Sequence, residues 1–165
     1  GGHWTKDAAG WFYTCADGTS YLKNGWYTIN GSDYLFGPSG YMATGFLKRA
    51  DGQWVYANES GALVGGWIRD RGSWYYLGDS GDMHTGWVQV GGSWYYLTAS
   101  GAMATGWVND GGSWYYLNAS GQMVTGWLNV GGSWYYLSPS GVMLTGTQVI
   151  NGRTYVFDAN GIWVG

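Results

Sequence analysis

Four consecutive stretches, WIRDRGSWYYLGDSGDMHTG (67–86), WVQVGGSWYYLTASGAMATG (87–106), WVNDGGSWYYLNASGQMVTG (107–126) and WLNVGGSWYYLSPSGVMLTG (127–146), align without a gap and set a period of 20 residues. A repeat of that length points to stacked supersecondary units, because no single unit can bury its own apolar face. Working outward, weaker copies occupy 26–45, 46–66 (with one extra residue near Asp51) and a degenerate 147–165. Trp4 to Gly25, which contains Trp11-Phe12-Tyr13, reads as a diverged first copy. The chain then divides into three irregular N-terminal units (1–66), four regular units (67–146) and one degenerate C-terminal unit (147–165). Eight units account for nearly all of it and leave no room for a separate catalytic domain.

Positions within a unit are numbered 1 to 20 from the leading Trp. Positions 1–4 (Trp87, Val88, Gln89, Val90) suit a short strand, and Gly91-Gly92 suits a two-residue hairpin turn that needs positive φ. Positions 8–11 (Trp94, Tyr95, Tyr96, Leu97) form a second strand of β-favouring rings. Thr98-Ala99-Ser100-Gly101 is loop chemistry, and Thr105-Gly106 closes the unit. A lone hairpin is marginal in water, so neighbouring hairpins must stack. The expectation is all-β.

Composition fits this reading and removes other classes. The 165 residues include 32 Gly, 13 Trp and 15 Tyr but only 2 Pro, and 10% are charged against 19% aromatic. That many rings is incompatible with ordinary disorder, which needs few aromatics and high net charge. The net charge of −3 gives no electrostatic footprint for nucleic acid. No apolar stretch approaches the ~20 residues of a membrane span. A single cysteine, Cys15, excludes an internal disulfide framework and a Cys-based zinc site. No charged-then-apolar leader opens the sequence, so a secretion signal is expected to have been removed or to lie outside it.

The imperfect units separate two sets of side chains. In 26–45 and 147–165 the strand reads Asp33-Tyr34-Leu35-Phe36 and Thr154-Tyr155-Val156-Phe157, losing the rings at positions 8 and 10 together. Residues 46–66 keep Trp54 and Tyr56 instead, while positions 9 and 11 become Val55 and Ala57. Because strand side chains alternate between faces, positions 9 and 11 are read as core, with Leu63 or Met at position 17 nearby. Positions 1, 8 and 10 form a second set, which is either further core or a binding surface. An unliganded soluble chain displaying so many exposed Trp risks aggregation, which favours binding.

Trp and Tyr at the junction of successive hairpins can make an open-ended aromatic box. Ring faces carry negative quadrupole density and suit a quaternary ammonium, at about 0.5–2 kcal/mol per ring. Three rings, less the costs of binding, give about millimolar affinity per site. Several such sites raise the effective affinity for a multivalent polymer by about 10²–10⁴.

The pattern GW-x₄₋₅-S-WYYL-x₃-G-x-M-x-TG resembles the choline-binding repeat, the cell-wall-binding repeat of surface proteins and lytic enzymes in pneumococci, related streptococci and their phages. The resemblance covers 67–146 closely and all eight units loosely. It implies a left-handed β-solenoid of stacked hairpins and a secreted module held non-covalently on the bacterial surface through phosphocholine of teichoic and lipoteichoic acids. It also implies choline sites built from two rings of one repeat and one of the next, often with a methionine alongside. Carried over, Trp67 and Trp74 pair with Tyr96, Trp87 and Trp94 with Tyr116, and Trp107 and Trp114 with Tyr136. An earlier site takes Phe46 and Trp54 with Tyr76. Trp127 and Trp134 are carried over too, with Val156 where the third ring is expected. Met83, Met103, Met123 and Met143 either line the sites or pack in the core.

Enzyme chemistry finds little to work with. Two histidines, His3 and His84, and one cysteine are too few for a metal cage or a Cys/His pair. Asp70, Asp79, Asp82 and Asp110 fall at turn and loop positions, where Asp serves turn formation. No catalytic residue, metal or cofactor is therefore expected, only the ligand choline. Two other classes stay open. One is a glucan-binding module of the glucosyltransferase or toxin-repeat type, which units lacking the position-8 Trp resemble. The other is an adhesin whose irregular N-terminal units contact a host protein.

Overall fold

Two glycines decide how a regular repeat closes. Gly91 and Gly92 adopt φ of 59° and 84°, both in the left-handed region, as a two-residue turn between right-twisted strands requires. Asn30-Gly31, Arg71-Gly72 and Asn151-Gly152 make the same turn with a non-glycine first residue. Each turn joins two strands of four or five residues, and each strand pairs with its sequence neighbour alone. The computed structural model describes every residue from Gly1 to Gly165, and it is all-β with no helix.

The chain forms two compact units, Gly1–His84 and Thr85–Gly165. The first holds the hairpins β1 (His3–Asp7)–β2 (Gly10–Thr14), β3 (Gly25–Ile29)–β4 (Ser32–Phe36), β5 (Gly45–Lys48)–β6 (Trp54–Ala57) and β7 (Gly66–Asp70)–β8 (Ser73–Leu77). The second holds β9 (Gly86–Val90)–β10 (Ser93–Leu97), β11 (Gly106–Asp110)–β12 (Ser113–Leu117), β13 (Gly126–Val130)–β14 (Ser133–Leu137) and β15 (Gly146–Ile150)–β16 (Arg153–Phe157). The extra residue of 46–66 is absorbed in the β5–β6 turn, where Arg49 N–H reaches Gln53 C=O at 2.8 Å. Phe46 still faces Tyr56 across the hairpin, in the register of Trp67 with Tyr76.

Position 11 is the centre of the core. Leu77, Leu97, Leu117 and Leu137 are all 0% exposed, and Phe36, Ala57 and Phe157 take the same place in the irregular hairpins. Complete burial of one such leucine stabilises by about 1.5–3 kcal/mol. The return loop folds over it: Leu97 bridges Met103, and Ala104 N–H donates to Tyr96 C=O at 2.8 Å. Position 12 shapes the loop through its side chain, as Asn118 Oδ1 accepts the backbone N–H groups of Ser120 and Gln122.

Consecutive hairpins within a unit are tied by one repeating backbone bond. The N–H at position 17 donates to the C=O at position 8 of the preceding hairpin: Met123 to Trp94 and Met143 to Trp114, each at 2.8 Å. Met83 and Trp54 do the same in the first unit. The glycine at position 15 lies against the methionine of the preceding hairpin. A Cβ on Gly121, Gly141 or Gly161 would collide with the thioether of Met103, Met123 or Met143 respectively.

Candidate functional site

The register across each hairpin fixes which rings share a face. Trp87 pairs with Tyr96 and Gln89 with Trp94, so positions 1, 3, 8 and 10 point one way. Val88 pairs with Tyr95, so positions 2 and 9 point the other way, as does Leu97 at position 11. Stacking then presses the first face of one hairpin onto the second face of the next. Position 9 consequently lies at the junction, half-buried where it is Tyr and fully buried as Val55, while position 11 is sealed from Phe36 to Phe157.

The ring that each Trp meets across the junction is therefore the Tyr at position 9. Trp87 lies 4.9 Å from Tyr115, Trp107 4.9 Å from Tyr135 and Phe46 4.7 Å from Tyr75, all edge to face. The Tyr at position 10 stays with its own hairpin: Tyr76 lies 5.0 Å from Trp67, Tyr96 5.0 Å from Trp87 and Tyr116 5.0 Å from Trp107. Tyr136 likewise lies 5.1 Å from Trp127. The expected pairings of Trp87 and Trp94 with Tyr116, Trp107 and Trp114 with Tyr136, and Phe46 and Trp54 with Tyr76 are not the ones brought together. Alternation places those tyrosines on the far face of their strand. Trp67 and Trp74 belong to the first unit and Tyr96 to the second, where it packs on Trp87.

One junction shows the cavity these residues make. Trp107, Trp114, Tyr135 and Met143, with Ala159 and Asn160 of the next return loop, line a space of about 260 Å³. Three successive hairpins contribute to it. No lining side chain carries a formal charge. The position-8 tryptophans Trp74, Trp94, Trp114 and Trp134 remain between 40% and 44% exposed, which leaves a ring face available to a ligand. Met143 thus lines this cavity while its thioether also packs against Gly161, so the two roles expected for the methionines coexist. By register, Met123 stands to Trp87, Trp94 and Tyr115 as Met143 does to the residues here, and Met83 stands so to Phe46, Trp54 and Tyr75. Trp87 is additionally held by its indole N–H, which donates to Asp110 Oδ2 at 3.0 Å.

The remaining junctions differ. At the last one Trp127 meets Tyr155 at 4.9 Å, not Val156, and Trp163 stands where other repeats have Met. Trp163 packs 6.0 Å from Trp127 and 6.1 Å from Tyr155, so the protein's own ring joins that cluster. Between the β3–β4 and β5–β6 hairpins, Trp26 and Leu35 pack on a buried cluster of Leu47, Val55 and Ala57. With Asp33 in place of the second Trp, that junction is plain core.

A further cavity involves residues the sequence reading did not assign. Trp4, Trp11, Tyr34 and Met42, with Lys6, Glu59 and Ser60 among other lining residues, line an open cleft of about 690 Å³. Trp4 lies 6.5 Å from Trp11 and 4.9 Å from Tyr34, and Met42 N–H donates to Trp11 C=O at 2.7 Å. The signal was present: Trp4 and Trp11 are spaced like Trp87 and Trp94. Of the two histidines, His84 stacks edge-on against Tyr76 at 5.5 Å. No group of three or more His, Cys, Asp or Glu side chains is placed to hold a metal ion, and no helix is long and apolar enough to cross a membrane.

Comparison with known proteins gives a consistent set of relatives. The family model for the choline-binding repeat matches residues 23–65, 43–85, 64–105, 84–125, 104–147 and 124–161. The crystal structure of choline binding protein F from Streptococcus pneumoniae superposes with a TM-score of 0.80 at 40% identity, over 98% of this chain and 57% of that one. CbpJ from the same organism gives 0.79 at 43% identity, again over 98% of this chain and 57% of the other. A putative endo-beta-N-acetylglucosaminidase of Streptococcus pneumoniae is 38% identical over 74 residues, 41% of this chain and 10% of that protein. The chain therefore spans little more than half of the structural relatives and a tenth of the curated one.

Proposed function

Because this chain belongs to the choline-binding repeat family, whose model matches it between residues 23 and 161, we propose that it binds choline groups in aromatic cages at the junctions of consecutive hairpins. The observation that carries this is the uncharged cavity of Trp107, Trp114, Tyr135 and Met143. Two indole walls, a phenol and a thioether supply negative ring faces and apolar volume for the methyl groups of a quaternary ammonium. The same four positions are held by Trp87, Trp94, Tyr115 and Met123 and, with Phe46 for the first Trp and the Lys48 ammonium 5.9 Å from the Trp54 ring, by Phe46, Trp54, Tyr75 and Met83. The pairs Trp127 and Trp134 join the set, with Tyr155 supplying the ring across the junction.

Weak sites in series suit a ligand that is itself repeated. We assign the natural ligand as phosphocholine carried on teichoic and lipoteichoic acids, and the location as the bacterial surface, where the module is held without a covalent bond. Multivalency then supplies retention that a single cage at about millimolar affinity does not. No catalytic step is assigned to these residues; their part is attachment. Nothing in the structure or the relatives supports a host-protein contact, and none is proposed.

Chromatography tests the reading. The protein should be retained on a tertiary-amine resin and released by free choline. Passage straight through that resin would overturn the choline assignment, and dextran binding that choline does not compete would replace it with a glucan ligand.

A further inference from the structure

Each residue lining the Trp107–Trp114 cavity has a counterpart in the Trp4–Trp11 cavity, which extends further along its hairpin and departs from the first in charge. Trp4 corresponds to Trp107, Trp11 to Trp114, Tyr34 to Tyr135 and Met42 to Met143, while Glu59-Ser60 stand where the other has Ala159-Asn160. Lys6 faces Trp11 across its hairpin, at the place Asn109 takes opposite Trp114. The Lys6 ammonium lies 5.9 Å from the Trp11 ring centroid and lines the cavity, as does Glu59. One cavity is neutral and about 260 Å³; the other carries one positive and one negative side chain and is about 690 Å³.

A bare quaternary ammonium entering the larger cavity meets a like charge already placed at one of its rings. A ligand carrying an anion beside its ammonium meets instead a complementary pair, with Glu59 for the cation and Lys6 for the anion, and the added volume accommodates the second group. Resting on the cation-cage reading above, we propose that the Trp4–Trp11 cavity selects a phosphate-linked quaternary ammonium, a phosphocholine-type zwitterion, over choline itself. Lys6 is the specificity-determining residue. Both charges are solvent-accessible, so the preference is modest and falls with added salt.

The test uses the full chain labelled with 5-fluorotryptophan, its ¹⁹F resonances assigned by single Trp→Phe changes, at low ionic strength. Titration with choline chloride and with phosphocholine gives a ratio of affinities at each cavity. At Trp4 and Trp11 phosphocholine should bind about two- to five-fold tighter than choline, with no such preference at Trp107 and Trp114. Lys6→Asn should abolish the preference and Lys6→Arg should keep it. Phosphatidylcholine vesicles separate two sources of the same headgroup: a shift of the Trp4 and Trp11 resonances assigns a lipid ligand, and no shift alongside a response to phosphocholine assigns a soluble or polymer-borne one. Equal ratios at the two cavities, an unchanged ratio in Lys6→Asn, or silence of Trp4 and Trp11 toward both small ligands would overturn the inference. Silence of Trp107 and Trp114 toward choline would instead overturn the proposed function.

Discussion

Trp107 lies 4.9 Å from Tyr135 of the next hairpin, while Tyr136, one residue further on, turns away to Trp127 at 5.1 Å. Neighbouring tyrosines of one WYYL strand thus serve two different junctions. This relationship follows from strand alternation combined with face-to-back stacking of hairpins.

It leads to a paired substitution. Tyr115→Leu should weaken choline binding at Trp87 and Trp94 by about 3- to 10-fold, the contribution of one ring. Tyr116→Leu should spare that cage and act at Trp107, which it touches. Site-resolved ¹⁹F titration of the two cages distinguishes them, and the opposite pattern would return the third ring to position 10.

The glycine over each methionine gives a second contrast. Gly161 and Gly81 have nearly the same φ, 84° and 85°, so alanine strains both backbones alike. A Cβ at Gly161 collides with the Met143 thioether, whereas at Gly81 the nearest atoms, on Leu63 and Val55, are 3.9 Å away. Gly161→Ala should cost about 1 kcal/mol more than Gly81→Ala in chemical denaturation. It should also change choline affinity at Trp107 and Trp114, because Met143 lines that cage.

Arg71 is a side-chain-bearing residue held at φ 51° where the next three hairpins have glycine. The left-handed conformation costs about 1–2 kcal/mol, partly offset by the entropy that glycine loses on folding, about 0.5–1 kcal/mol. Arg71→Gly is expected to stabilise by up to about 1 kcal/mol, seen as a higher Tm.

Acid should loosen the already exposed loop after β2. Ser20 Oγ and the backbone N–H groups of Ser20 and Thr19 donate to Asp17 and hold its carboxyl at about 2, below its ordinary 3.8. A depressed carboxylate contributes stability that is complete above about 3.8 and is lost as pH falls through about 2. Carboxyl ¹³C titration should give that midpoint, and Ser20→Ala should raise it. Tyr41 O–H donates to Asp7 at 2.8 Å and lowers that carboxyl too, so Tyr41→Phe should raise the Asp7 midpoint.

Much of this was legible in the sequence. The 20-residue period, the Gly-Gly turns and the position-8 tryptophans read directly into hairpins and exposed indoles, because each depends on residues close in the chain. The third ring did not. Choosing Tyr115 over Tyr116 requires knowing which face of one hairpin meets which face of the next, and that relation is set by packing. Trp4 and Trp11 keep the regular spacing, but the irregular loop after them obscures their alignment with the later repeats. Trp163 at a methionine position and Lys6 beside Trp11 likewise became informative only when stacking brought distant positions together.

The sheets never extend beyond two strands, and a single amide bond such as Met123 to Trp94 recurs between hairpins. Pulled from its ends, a chain built this way is expected to shed one hairpin while its neighbours stay folded, so that under load its binding capacity should fall in steps and not all at once.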